Sequence, residues 1–216
     1  MLKEYQKGFI EFAIANRILE FGEFELKSGR ISPYFFNAGR FNSGNLLAAL
    51  GGFYAAALED AGADYDLVFG PAYKGIPLVT ATAIALATRE GRDVPYAFNR
   101  KEAKDHGEKG IFVGSELTQK VFIVDDVITA GTAIREVVGL IREHGGDVAG
   151  ALVAIDRQER GESELSAIQE IEREFGISVV SVVRLDDVID YIETQPDSGA
   201  DLESIKRYRD TYGVAA

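Results

Sequence analysis

The amino-acid sequence predicts an α/β fold with a mostly parallel central sheet flanked by helices, and three observations carry that expectation. Between residues 66 and 183, short apolar runs rich in β-branched side chains alternate with longer runs of helical periodicity. The runs Asp66-Leu67-Val68-Phe69 and Val121-Phe122-Ile123-Val124 are continuously apolar at their centres, as strands covered on both faces must be. Finally, 216 residues with 46% hydrophobic side chains can bury a sizeable core, and no repeat, low-complexity stretch or second composition divides the chain, so one domain over 1–216 is expected.

From the N-terminus, Ile10, Ile14 and Ile18 recur at helical spacing beside Phe9 and Phe12, which predicts a covering helix within residues 2–21. Residues 24–36 read as two short strands around a Ser28-Gly29-Arg30 turn. Phe35 and Phe36 are adjacent on the second strand, so their side chains point to opposite faces. Both suit a core, but one of them, or its backbone, could instead line a pocket. Asn42 or Ser43 caps a second helix reaching residue 60, a strand covers 66–69, a helix 76–88 and a further strand 95–99. Residues 100–110 mix Arg, Lys and His with acids, lack apolar periodicity and contain Gly107 and Gly110, so a mobile exposed loop is expected. Beyond the central motif come a helix at 133–143, strands at 147–155 and 178–183, and helices at 163–175, 185–194 and 202–212, the last introduced by Asp197-Ser198.

Composition narrows the function. A net charge of −12 argues against nucleic acid as a partner, because binding a phosphate backbone depends on Lys and Arg. The chain has no Cys, which excludes disulfides, thiolate metal sites and Cys nucleophiles, and only His106 and His144 could act as imidazoles. His144 lies in a helix tail before Gly145-Gly146, where it suits the negative end of the helix dipole. Charged residues interrupt the N-terminal apolar positions and the longest apolar run, near 78–87, is too short to span a bilayer, so a soluble cytoplasmic protein is expected. The motifs G-x-G-x-x-G after a strand, G-x-x-x-x-G-K-[ST], G-x-S-x-G and H-E-x-x-H are all missing, which disfavours dinucleotide oxidoreductases, P-loop NTPases, α/β-hydrolases and zincins.

The stretch 121–133 holds the chemistry. Asp125 and Asp126 fall where a buried strand emerges, and Thr129, Gly131 and Thr132 supply hydroxyls, small side chains and one residue free to take a positive φ just before a helix. Such a loop can aim backbone N–H groups at an anion on the positive end of a helix dipole. Two carboxylates beside an anion cradle repel phosphate, so they must serve a different group, either sugar hydroxyls or phosphate reached through Mg2+. A phosphorylated sugar satisfies both, whereas the plainer alternative is a strand ending in a charged turn with a spare N-cap. The loop 70–77 sets Tyr73 and Lys74 at the end of another strand, and Arg157 stands at the end of a third, which is where α/β folds place ligands.

The run Val124-Asp125-Asp126-Val127-Ile128-Thr129-Ala130-Gly131-Thr132 resembles the phosphoribosyl-diphosphate (PRPP) motif of type I phosphoribosyltransferases, with two acidic residues after a strand and then a T-x-G-T turn. The order R-K-E-x-K-x-H-G from Arg100 is similar to the catalytic loop of orotate phosphoribosyltransferases, and Phe35-Phe36, Tyr73-Lys74 and Arg157 extend the likeness over nearly the whole chain, though residues after 185 are not diagnostic. The resemblance implies a type I phosphoribosyltransferase fold, with residues to about 40 and the C-terminal helices forming a base-binding hood. It also implies Mg2+-dependent transfer of phosphoribose from PRPP to N1 of orotate, in a homodimer whose 100–110 loop reaches the neighbouring active site.

Carried over residue by residue, it places the 5′-phosphate on Thr129, Ala130, Gly131, Thr132 and Ala133, with Val127 and Ile128 leading into that turn and Asp125 and Asp126 on the ribose hydroxyls. Tyr73 and Lys74 would take the diphosphate, and Arg100, Lys101, Lys104 and His106 would neutralise the leaving group, His106 also serving as a proton donor. Phe35, Phe36, Thr129 and Arg157 would surround orotate, with Arg157 forked on its carboxylate, while Lys27 goes to PRPP although it could touch either ligand. Lys74, Lys104, His106, Asp125 and Asp126 are the expected catalytic group, and Mg2+ is expected on PRPP and water near the two aspartates, without a dedicated protein ligand. Two rivals share the central motif, namely a phosphoribosyltransferase for another base and a non-catalytic PRPP-sensing regulator. Arg157 with Phe35-Phe36 speaks against the first, and the basic loop together with the acidic surface against the second.

Overall fold

In the computed structural model, residues 1–26, 28–104, 110–117, 119–161, 163–195 and 199–214 are described, with backbone alone for Ala103 and Lys104. Helix α1 (Glu4–Ala15) leads into a hairpin of β1 (Leu19–Glu25) and β2 (Ile31–Phe36). There follow α2 (Gly44–Asp60), β3 (Leu67–Gly70), α3 (Gly75–Arg89), β4 (Tyr96–Lys104), β5 (Gly110–Gly114), β6 (Lys120–Val124) and α4 (Thr132–Glu143). The chain continues through β7 (Asp147–Asp156), α5 (Ala167–Phe175), β8 (Ser178–Arg184), α6 (Leu185–Glu193) and α7 (Leu202–Tyr212).

The central sheet has the order β5-β4-β3-β6-β7-β8, with every pairing parallel except β4 with β5. Period-two alternation sorts its side chains between two cores. Val68, Phe122, Val124 and Leu152 face the larger core with buried residues of α1, α2, α3, α6 and α7, whereas Phe69, Val121, Ile123 and Val153 face α4 and α5. Burying such a side chain contributes about 1.5–3 kcal/mol, so the continuous apolar runs are stable only between two helical layers. Among the described residues, no helix is long and apolar enough to cross a membrane.

The covering helix ends at Ala15 and β1 begins at Leu19, inside the range expected for that helix and ahead of the strand expected from residue 24. Three further differences from the sequence-based expectations have local causes. The expected loop at 100–110 begins as strand, because β4 continues to Lys104 and pairs with β5, aligning Asn99 with Phe112 and Lys104 with Gly110. An edge hairpin leaves charged side chains in water, so the polar composition of residues 100–104 conceals the extension of β4, whereas β5, with the short apolar run Ile111-Phe112-Val113, is not among the expected strands. Helix α5 starts at Ala167 rather than 163, because Ser166 accepts from the backbone N–H of Gln169 while the Gln169 side chain returns to Ser166 N. The cap of α7 is Asp201, whose side chain accepts from Ser204 N; the expected Asp197-Ser198 start lies outside the described residues. Ser43 caps α2 as expected, accepting from Leu46 N.

Candidate active site

The strand order reverses its sense of growth between β3 and β6. From β3 the chain passes through α3 to β4 on one side, and from β6 through α4 to β7 on the other. The loops leaving these two strands therefore part at the sheet's carboxyl edge and leave a crevice, the place where open α/β sheets bind ligands. Lys74 comes from the β3 loop and Asp126 from the β6 loop, and they meet across it with Nζ 2.7 Å from Oδ2.

Glycine makes the approach possible on the β3 side. A Cβ on Gly70 would lie 2.2 Å from the Gly75 carbonyl oxygen, so any larger residue would force the strand end away from the helix start. Asn99 of β4 holds the same loop, its Oδ1 accepting from Ala72 N at 2.9 Å. The Ala72-Tyr73 peptide is cis. Tyr73 is exposed, and the Lys101 ammonium lies 5.2 Å from its ring centroid, so β4 brings one cation of the basic segment to the loop.

On the β6 side, Asp125 is buried and Asp126 half-buried. Asp125 Oδ1 accepts from Asp126 N at 2.9 Å, and Asp126 Oδ1 from Val127 N at 2.9 Å. The Tyr54 hydroxyl donates to the Asp125 carbonyl at 2.9 Å and pins the strand end to α2. Burial, with the neighbouring Asp126 carboxylate, pushes the Asp125 carboxyl up to about 7, so it exchanges its proton near neutrality. Asp126 instead has the Lys74 ammonium as counter-ion.

The turn then runs through exposed Thr129 and Ala130 to Gly131, which takes φ 74° as the N-cap of α4. No side chain caps this helix, so its first-turn N–H groups and positive dipole end remain for an anion, flanked by exposed Thr132 and Ala133. Val127 and Ile128 face inward, Ile128 buried in the α4 core, and leave their backbone to the turn. Arg135 braces the turn: Nη1 donates to the Ala130 carbonyl at 2.8 Å, Nε to Glu174 at 2.7 Å and Nη2 to Glu170 at 3.3 Å.

A second centre lies where β7 ends. Arg157 is half-buried and stacks on Tyr34 of β2, its Cζ 4.8 Å from the ring centroid, and Glu159 binds it through two hydrogen bonds. Phe35 and Phe36 divide as alternation requires. Phe36 is buried against Phe9 and Phe41, so only its backbone remains for a ligand, whereas Phe35 is half-exposed and stacks on Phe24 at 5.5 Å. The division matches the expectation that one of the pair packs inward.

Arg100 is half-buried and donates to the Gly110 carbonyl at 3.3 Å across the hairpin. Lys27, His106 and the Lys104 side chain fall outside the described residues. His144 ends α4, its Nδ1 2.9 Å from the Leu140 carbonyl and its ring edge-on to Phe112, apart from either centre. Tyr34, Asn99, Arg135 and Glu159 belong to the two centres without being expected there from sequence. Alternation beside Phe35 marks Tyr34 as inward-facing, but only long-range contacts reveal the others.

The phosphoribosyl transferase domain family matches residues 41–187. Orotate phosphoribosyltransferases of Pseudoalteromonas translucida and Shewanella oneidensis are 62% and 60% identical to the chain, over 99% and 100% of its length and all of theirs. The crystal structure of a Francisella tularensis orotate phosphoribosyltransferase aligns with a TM-score of 0.87 at 45% identity, covering 95% of this chain and 99% of that one. A Mycobacterium tuberculosis orotate phosphoribosyltransferase in complex with PRPP aligns with a TM-score of 0.61 at 26% identity, covering 85% and 98%.

Proposed function

The chain belongs to the phosphoribosyl transferase family, in its orotate phosphoribosyltransferase branch, and from that premise we propose how its strand-end loops share the work. The reaction is transfer of the ribose 5-phosphate group from PRPP to N1 of orotate, giving orotidine 5′-phosphate and diphosphate. The observation that carries the assignment of roles is the meeting of Lys74 and Asp126 beside the uncapped start of α4. That crevice offers a cation, two carboxylates and an anion cradle to one ligand.

The 5′-phosphate sits on the amides and hydroxyls from Thr129 to Ala133, and Asp125 and Asp126 take the ribose hydroxyls. Tyr73 and Lys74 receive the diphosphate, Lys74 exchanging Asp126 for the more highly charged ligand. As the diphosphate leaves, positive charge develops on the sugar, and nearby carboxylates stabilise it. Asp125, poised at about 7, is drawn to its ionised form by that charge. Arg100, Lys104 and His106 close over the leaving group from the partner subunit of a homodimer, neutralise it and exclude water, with His106 to donate a proton. Lys101, beside Tyr73 of its own chain, adds its charge at that chain's diphosphate loop.

Magnesium fits this donor set as an ion carried by PRPP. The two aspartates are hard oxygen donors, yet Asp126 is already ion-paired and no cluster of three metal-ligating side chains stands among the described residues. When bound, the ion offsets charge on the diphosphate oxygens. Orotate lies at the other end, with its carboxylate on Arg157 and its ring near Phe35, the Phe36 backbone and Thr129. Residues to about 40 and the C-terminal helices form the hood, and Lys27 is assigned to PRPP. Cytoplasmic pyrimidine synthesis is the setting.

The test is diphosphate release from PRPP and Mg2+ by the purified protein with orotate, uracil, adenine or hypoxanthine as acceptor. Release with orotate alone is expected. Release with another base would overturn the pocket assignment, and PRPP binding without release would make the chain a sensor.

A further inference from the structure

We propose that Glu159 is a positioning residue that sets which edge of the Arg157 guanidinium meets the substrate. The proposal rests on the reading above, in which Arg157 receives the carboxylate of orotate.

Glu159 Oε1 alone accepts from Arg157 Nη2 at 2.6 Å, from Arg157 Nε at 2.9 Å and from the Tyr34 hydroxyl at 2.9 Å. A guanidinium has two edges that can bind a carboxylate in fork geometry, one made of Nε and Nη2 and the other of Nη1 and Nη2. Glu159 occupies the first. Nη1 has no hydrogen-bond partner among the described residues, so the second edge is the one left for a ligand. Stacking on Tyr34 fixes the plane of the group as well, and the two side chains are only 14% and 13% exposed, so neither swings freely in solvent.

The backbone around the pair is built to hold it. Gln158, between the two residues, adopts φ 52°, an uncommon conformation for a residue with a side chain. It is buried, and its amide is locked at both ends: Nε2 donates to Asp186 at 3.0 Å, and Oε1 accepts from Asp186 N at 2.9 Å. The C-terminal residues close the bend, with Val214 N donating to the Gln158 carbonyl and Arg160 N to the Tyr212 carbonyl, both at 2.9 Å. Charge also fits. Arg30 Nη1 lies 3.9 Å from Glu159 Oε2, so two guanidiniums face one carboxylate, leaving one positive charge for one substrate carboxylate.

The test is steady-state kinetics of the full-length protein, varying orotate at saturating PRPP and then the reverse. Glu159→Ala should raise the orotate KM about tenfold, with the PRPP KM within about twofold and kcat within about threefold. Glu159→Gln keeps an acceptor oxygen and should raise it about threefold, and Tyr34→Phe, which removes one of the three donors, about twofold. Arg157→Leu is the reference. If it raises the orotate KM while Glu159→Ala leaves that KM unchanged, Glu159 is no brace; if Glu159→Ala lowers it, Glu159 competes with the substrate. Equal losses in kcat and both KM values would reduce Glu159 to general support of the fold. If Arg157→Leu itself spares the orotate KM, the pocket assignment falls and the brace with it. Should Glu159→Ala not fold, an unchanged orotate KM in both Glu159→Gln and Tyr34→Phe overturns the proposal.

Discussion

The turn proposed as the phosphate cradle and the Arg157 centre are both built at the carboxyl edge of one sheet, but in opposite ways. The cradle is almost one continuous piece of chain: Asp125, Asp126, the turn to Gly131 and the start of α4 lie within a few residues of each other. Neighbours in sequence supply its defining contacts, such as Asp126 N to Asp125 and Val127 N to Asp126. The Arg157 centre joins Tyr34 of β2, the bend after β7, Asp186 of α6 and the residues ending α7. A local turn can bind a group common to many ligands through backbone amides, whereas recognising one particular base calls for side chains gathered from remote segments.

The largest expected effect lies in the segment proposed to close over the leaving group, beyond either centre. Lys104→Ala is expected to cut kcat by about a hundred- to a thousandfold with little change in PRPP affinity. Mixing it with inactive Asp126→Ala chains should restore activity, because a heterodimer then holds one site with an intact cradle and an intact partner loop. An unchanged kcat would free Lys104 of its role, and verified heterodimers without rescue would put the site within one chain.

Asp125 sharpens the contrast on the side of stability. Its carboxyl is raised from 3.8 to about 7, so between those values the folded chain binds more protons than the unfolded chain. Stability from this group therefore falls as pH rises through that window, and the full cost, up to about 4 kcal/mol, is reached above it. Asp125→Asn should raise stability to urea by about 2–4 kcal/mol at pH 8 and by less than about 1 kcal/mol at pH 4, while lowering turnover. A gain of equal size at both pH values would show that ionisation is not its source.

Two smaller effects should separate the centres kinetically. Arg157→Leu is expected to raise the orotate KM about thirtyfold and spare that of PRPP. Arg135→Ala, which frees the Ala130 carbonyl, should do the reverse, raising the PRPP KM about three- to fivefold. Equal losses for both substrates in either variant would erase the distinction between the two ends.

What can be read without coordinates follows the same line. The buried strands, most helices and the whole Asp125-to-Ala133 turn are legible, because period, turn chemistry and apolar runs are properties of adjacent residues. The extension of β4 to Lys104 is hidden by its charges, which reflect solvent rather than local preference. That Phe36 packs inward while Phe35 does not is decided by the register of β2 against β1 and by the packing of α1 on one face. Glu159 offers no sign at all, since an acidic residue in a polar loop looks like any other until Tyr34, 125 positions away in sequence, is folded against it. Sequence by itself thus determined the sheet, its flanking helices and the turn that leads into α4. Tertiary structure alone decided how Arg157 is held, because the partners that orient a buried charge are brought together only by the packed chain.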